Sequence, residues 1–259
     1  MSMTITRFTP STPAPFRTVD SFSLLRIDEP SSLSAVLELV RQEQQTDPGA
    51  RYLITLDDIN QCLYTSGHAR ESDEIYYDAD YDMDDPASVA QYQQAELAYV
   101  AAQLDDPALR RDWRDVGEKG LTSLPEDIAA LVEINRHPDL VLDDAVYVQK
   151  LPVARDDLLI AGLPNGYFSC DWDIFDNHAV IRLLHDHDYR FFGIGAGWLG
   201  FIREDKIDPA KLERLIADLM TLYGQAENTQ MWGELKQVIR NSPYLLLGYI
   251  EDFSRILES

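Results

Sequence analysis

The chain has 259 residues, of which 45% are hydrophobic and 26% are charged, a composition typical of a folded globular protein rather than of a disordered one. Its 22 basic and 45 acidic side chains give a formal net charge of −23, which disfavours binding to nucleic acids and to anionic membrane surfaces. No apolar run approaches the roughly 20 residues of a membrane span, and two cysteines are too few for a disulfide framework. These properties favour a cytoplasmic protein.

The N-terminal part of the chain predicts an arm followed by alternating strands and helices. Residues 1–18 are rich in Pro, Ser and Thr, lack the apolar core of a secretory signal and predict a flexible arm. Periodicity and capping residues then predict a strand over 21–27, a helix from Ser31 or Ser32 to about residue 45, and a strand over 52–56. Helical patterns follow over 88–104 and 125–135. We assign residues 19–140 to an N-terminal α/β part.

The most biased segment lies within this part, at residues 71–86, where eight carboxylates occur without a single basic residue. Their mutual repulsion favours an extended, solvated loop. The alternation of Asp78, Asp80, Asp82 and Asp84 resembles the start of an EF-hand calcium loop. That pattern requires a glycine at the position of Met83 and a glutamate at the position of Val89, so we predict no calcium site.

The C-terminal part, residues 141–259, mixes strand and helix patterns. The predicted elements are a strand over 145–151, a short helix near 156–161, a helix capped by Asp171 or Asp173 and ending near 185, strands over 189–194 and 200–203, helices over 208–223 and 228–241, and a final apolar segment over 244–250. The fold class that follows is α+β, with a mixed or antiparallel sheet, several packed helices and a Gly-rich β-hairpin flanked by helices. The two parts form either two units or one continuous domain.

The hairpin contains Gly195, Gly197 and Gly200, which match the GxGxxG pattern of dinucleotide-binding proteins. In those proteins the glycines open a helix, whereas here the chain continues as a strand and the next helix begins near Asp208. We therefore interpret the glycines as hairpin or bulge residues and predict no cofactor.

Histidines and a cysteine in residues 163–203 suggest a competing hydrolase hypothesis. His178, His185 and His187 lie near several aspartates, and the last two resemble part of the HxHxDH pattern of metallo-β-lactamase-like hydrolases, although Tyr189 and Arg190 replace its Asp and His. Cys170 precedes a predicted helix, whose dipole would favour a thiolate. Neither a complete ligand set nor a base beside the cysteine is evident, so we predict no metal and no catalytic residue.

The sequence therefore favours a non-enzymatic acidic protein that engages a basic protein partner, with a metal- or cysteine-dependent hydrolase as the alternative. Toxin-neutralising immunity proteins of bacteria are similar to this chain in charge and size alone. The predicted contact consists of acidic and tyrosine residues in the loop: Asp78, Asp80, Asp82, Asp84, Tyr77 and Tyr81. The conspicuous aromatic residues also leave self-association open.

Overall fold

The computed structural model describes residues 3–9, 19–119, 121 and 124–258. The strands are β1 (Thr4–Arg7), β2 (Ser23–Asp28), β3 (Arg51–Thr55), β4 (Ala145–Leu151), β5 (Arg190–Ile194), β6 (Trp198–Ile202) and β7 (Tyr244–Gly248). The α-helices are α1 (Leu33–Thr46), α2 (Ile59–Ala69), α3 (Pro86–Asp105), α4 (Trp113–Lys119), α5 (Pro125–Arg136), α6 (Ile174–Asp186), α7 (Pro209–Tyr223) and α8 (Thr229–Asn241). Short 3-10 helices cover Pro138–Val141, Asp156–Gly162 and Phe253–Glu258.

All the strands of the described residues pair in one mixed sheet of order β1-β2-β4-β3-β5-β6-β7. Every neighbouring pair is antiparallel except β3 and β5, which run parallel with Ile54 opposite Gly193. The predicted α+β class and mixed sheet are confirmed. Because β4 lies between β2 and β3, strands from both sides of residue 140 belong to the same sheet.

Local capping signals account for where the main helices begin and end. The Ser32 side chain accepts a hydrogen bond from the Ala35 N–H at 3.1 Å at the start of α1. Asp173 and Asp208 cap α6 and α7 in the same way, and Gly224 ends α7 with a positive φ of 79°. Ser32, Asp173 and Asp208 were predicted helix starts, and α7 ends at Tyr223 as predicted.

The edge of the sheet at β7 is closed by a side chain of α5. The Asn135 amide donates to the Leu246 carbonyl and accepts from the Leu246 N–H, both at 2.8 Å. Asn135 thus takes the place of a further strand at this position. Such cover protects an apolar edge strand from pairing with another chain.

Three elements differ from the sequence prediction. Residues Thr4–Arg7 lie inside the predicted flexible arm but form β1, because they pair in register with β2; residues 10–18 of the arm lie outside the described residues. Helix α2 was not predicted, since Thr65, Ser66 and Gly67 are weak helix formers. Helix α4 was not predicted either, and it contains Gly117, where a Cβ atom would lie only 2.7 Å from the Thr221 carbonyl oxygen of α7.

The predicted Gly-rich hairpin is confirmed as β5 and β6, although β6 begins at Trp198, earlier than expected. A Cβ on Gly195 would lie 1.9 Å from Asp57 Oδ1, and one on Gly197 would lie 2.1 Å from Ile256 Cδ1. Close packing therefore explains these glycines. None of the helices in the described part of the chain has both the length and the apolar composition of a membrane span.

Candidate functional site

The acidic loop, predicted over residues 71–86, covers residues 71–85, because α3 begins at Pro86, and it contains no regular helix or strand among these residues. Ile75 is fully buried and anchors its first half, while the Asp85 side chain accepts from the Ala87 N–H and caps α3. Between these two anchors lie the predicted contact residues Asp78, Asp80, Asp82 and Asp84, all of them exposed. No ion pair joins any of the four to a basic side chain within the described residues. The loop thus presents uncompensated negative charge.

The two predicted contact tyrosines are partly buried against α3. Tyr77 packs on Tyr92 and Tyr99 with ring centroids 5.6 and 5.5 Å apart, and Tyr81 packs edge-on against Tyr92 at 5.6 Å. The rings of Tyr77 and Tyr81 therefore pack the loop against α3 and offer little surface to a partner. Tyr76, a further tyrosine of the loop that is not among the predicted contact residues, is the more exposed neighbour. In an extended segment, neighbouring side chains point to opposite sides, so a buried Ile75 implies an exposed Tyr76. The apolar residue beside Tyr76 was therefore the signal in the sequence.

The exposed face of α2 continues from the acidic loop as a row of aromatic rings. Tyr64 packs on His68 at 4.5 Å, His68 on Tyr167 at 4.8 Å, and Tyr167 on Phe168 at 5.3 Å between ring centroids. Tyr64, Tyr167 and Phe168 remain about half exposed despite these contacts. Exposed aromatic rings in one row are typical of protein-binding surfaces.

An acid-lined cavity of about 780 Å³ lies at the other end of α2. It opens where β3 and β5 end, the edge of a parallel pair at which ligands commonly bind. Five carboxyl side chains line it, together with apolar groups that include Phe168 and Ile256, and no Lys, Arg or His occurs among the described residues of the lining. The carboxyl groups belong to Asp57, Asp58, Asp143, Asp171 and Glu251.

Asp57 is the most deeply placed of these carboxyl groups and is only 8% exposed. Its Oδ2 accepts a hydrogen bond from the Gly197 N–H at 3.0 Å, whereas its buried Oδ1 has no partner within the described part of the chain. Burial raises the pKa of Asp57 to about 7, and the Gly197 hydrogen bond opposes this shift only in part. Asp57 therefore exchanges its proton near neutral pH.

Asp171 and Cys170 lie together at the mouth of the acid-lined cavity. Burial raises the pKa of Asp171 to about 6, and the charge of Glu251 acts in the same direction. The pKa of the Cys170 thiol is also raised, first by burial and then by the charges of Asp171 and Glu251. Cys170 is therefore a poorer nucleophile than a free cysteine, contrary to the effect expected of a helix N-terminus.

The three histidines of the hydrolase hypothesis contact different elements. His178 Nε2 lies 3.0 Å from Asp157 Oδ2, His187 Nε2 lies 2.7 Å from Asp218 Oδ2 on α7, and His185 is exposed. Within the described residues, no three His, Cys, Asp or Glu side chains are grouped so that they could hold a metal ion. His178 and His185 thus lie on one face of α6, whereas His187 is held against α7.

Sequence reasoning located the acidic loop but missed the acid-lined cavity. The loop is one continuous run of acids, whereas the cavity draws its carboxyl groups from four separate segments of the chain. The only local signal was the pair Asp57-Asp58 directly after a buried strand. Comparison with protein-family models, curated proteins and solved structures gave no match.

Proposed function

We propose that this chain is a non-enzymatic, acidic binding protein of the cytoplasm that engages a basic protein partner, in the manner of an immunity protein or an inhibitor. The observation that carries the proposal is the acid-lined cavity, with five carboxyl groups and no base among its described residues. A lysine or arginine side chain supplies the positive charge and the hydrogen-bond donors that a group of carboxylates binds. The apolar part of the lining suits the aliphatic stem of such a side chain.

The acidic loop and the acid-lined cavity are close enough to contact one partner. They lie at opposite ends of α2, an 11-residue helix about 16 Å long. A standard protein interface buries roughly 800 Å² on each side and can cover that distance. The exposed rings of Tyr64, Tyr167 and Phe168 lie between the two acidic regions. Arginine and lysine side chains also bind to aromatic faces.

The two acidic regions have different physical roles in the proposal. The exposed aspartates of the loop act over a distance and increase the rate at which a basic partner arrives. The cavity acts after arrival, since a cation held among partly buried carboxylates leaves slowly. The alternative hydrolase has less support, because the described residues provide neither a three-ligand metal group nor a histidine hydrogen-bonded to Cys170.

The first prediction concerns the loop. Immobilised protein is used to capture basic proteins from a lysate at low salt, and the retained partner is then studied by surface plasmon resonance. Replacing Asp78, Asp80, Asp82 and Asp84 with Asn should lower the association rate about tenfold and flatten its dependence on salt, because the steering charge is removed. The dissociation rate should change much less.

A matched control removes the same charge elsewhere, by neutralising four exposed carboxylates on or next to α5, α7 and α8: Glu126, Asp205, Glu213 and Glu227. This variant should retain most of the association rate. An association rate that is unchanged by the loop substitutions, or that both variants reduce equally, contradicts a role for the loop as the contact surface.

A further inference from the structure

A second cavity lies at the opposite end of the parallel strand pair, where β3 and β5 begin, and measures about 680 Å³. In a chain with twice as many acids as bases, its charged lining has more arginines than aspartates. The lining contains Arg51, Arg110, Arg155, Arg182 and Arg190, the histidines His178 and His185, and the aspartates Asp105, Asp156, Asp157 and Asp186. We refer to it as the arginine-lined cavity.

The fold brings these arginines together from distant parts of the sequence. Arg51 and Arg190 are the first residues of β3 and β5, and the parallel register of Ile54 opposite Gly193 places both at one edge of the sheet. Helix α6 contributes His178, Arg182 and His185 at spacings of four and three residues, which lie on one helix face. The basic side chains thus converge from two strands and a helix.

Three of the aspartates hold part of this lining in place. Arg155 bonds Asp105 through Nη2 at 2.5 Å and Asp157 through Nε at 2.9 Å, while Arg51 Nε lies 2.8 Å from Asp156 Oδ1. Burial would raise the pKa of Asp157, but the hydrogen bonds from His178 and Arg155 outweigh it and hold the pKa far below its ordinary value. Asp157 is therefore charged, and all three aspartates already have basic partners.

Two arginines of the cavity have no such partner. Arg182, which is partly buried, and Arg110, which is exposed, make no hydrogen bond or ion pair with any described residue. Asp186 is exposed at the end of α6 and pairs with neither of them. A guanidinium that is partly removed from water without a counter-ion is unfavourable, and a bound anion would relieve this cost.

We propose that the arginine-lined cavity binds a small organic phosphate. Two free guanidinium groups with fixed donor geometry match the oxygens of a phosphate, which is doubly charged and accepts several hydrogen bonds. The volume is that of a typical small-molecule site and exceeds what a bare inorganic anion fills. This site is independent of the basic partner, which would bind at the other end of the strand pair.

The test uses isothermal titration calorimetry in low-salt buffer with three probes: ribose 5-phosphate, ribose and inorganic phosphate. Ribose 5-phosphate should bind more tightly than inorganic phosphate, and ribose should not bind. Arg182→Gln should weaken the binding of ribose 5-phosphate ten- to hundredfold, because it removes a charge-assisted hydrogen-bonding pair. Arg110→Gln, at an exposed position that does not threaten folding, should weaken it about tenfold.

The control is Arg214→Gln, which removes the same charge from an exposed arginine of α7 that pairs with no described residue, and it should leave the affinity unchanged. The absence of ribose 5-phosphate binding at millimolar concentration would overturn the proposal. Equal losses in Arg182→Gln and Arg214→Gln would overturn it as well, since they would indicate a general charge effect. Equal affinities for inorganic phosphate and ribose 5-phosphate would contradict the assignment to an organic phosphate.

Discussion

At the scale of single residues, the contact between Asp57 and Gly195 shows how a local substitution would reach the candidate site. The Asp57 backbone carbonyl accepts from the Ala196 N–H at 3.0 Å, and its side chain accepts from the Gly197 N–H. Gly195 has no side chain, so the Asp57 carboxyl group fits directly against its Cα. The hairpin and the acid-lined cavity therefore depend on the same few atoms.

Gly195→Ala should destabilise the protein by about 1–3 kcal/mol, because the new Cβ would lie 1.9 Å from Asp57 Oδ1 and 2.5 Å from its backbone nitrogen. Gly233→Ala is the matched control, since this glycine lies inside α8 and no atom of the described part of the chain lies within 4 Å of an added Cβ. The control should gain roughly 0.5–1 kcal/mol from helix propensity. Urea denaturation measures both, and similar values for the two variants would contradict the packing argument.

The raised pKa of Asp57 predicts how stability depends on pH. Folding raises this pKa from 3.8 to about 7, so the native state binds the proton more tightly than the unfolded state. The bound proton of Asp57 therefore adds to the free energy of unfolding at low pH. This addition is lost as the pH rises from about 4 through 7. Between pH 5 and 8, wild-type stability should therefore fall by about 2–3 kcal/mol more than that of Asp57→Asn.

Urea denaturation at pH 5, 6, 7 and 8 makes this comparison. Asp171→Asn is the accompanying variant, because burial raises the pKa of Asp171 to about 6 and should give a smaller effect of the same sign. Parallel pH profiles for the wild type and Asp57→Asn would show that the Asp57 carboxyl titrates in its ordinary range.

At the scale of elements, α6 connects the two ends of the parallel strand pair. Its cap, Asp173, accepts from the Phe175 N–H at 2.9 Å and the Asp176 N–H at 3.1 Å. Asp173 also pairs with Arg111 at 2.5 Å, just before α4. The same side chain therefore begins one helix and holds the segment that leads into another.

Asp173→Ala should cost about 2 kcal/mol, the sum of a lost cap and a partly exposed ion pair. Asp208→Ala is the control, because Asp208 caps α7 through Ala210 and Lys211 and pairs with no arginine among the described residues. It should cost about 1 kcal/mol. Guanidinium denaturation distinguishes the two, and equal losses would mean that the Arg111 pair contributes nothing.

At the scale of the whole molecule, charge is distributed unevenly between the two ends of β3 and β5. Five carboxyl groups surround the cavity at the carboxyl ends of these strands, and five arginines surround the cavity at their amino ends. The net charge of −23 agrees in sign with the acid-lined cavity but gives no sign of the arginine-lined cavity. A total charge therefore predicted a basic partner but gave no indication of an anion site.

Much of the fold was predictable because its signals are local. The cap at Ser32, the start of α7 at Asp208 and the alternating strand over 145–151 each lie within a few consecutive residues. Helix α2 was missed for the same reason, since its own residues are weak helix formers and its buried contacts stabilise it instead. The acidic loop was found, but the orientation of Tyr77 and Tyr81 towards α3 was not.

By itself, the sequence determined the types of element, most of their boundaries and the acidic character of the surface, because helix caps, periodicity and charge act over short distances along the chain. Only the tertiary structure decided the strand order, the parallel pairing of β3 with β5 and the two cavities at its ends. Asp57 and Gly197 are 140 residues apart in the chain, yet a hydrogen bond joins them. Contacts of this kind depend on how the whole chain packs, and no local pattern encodes them.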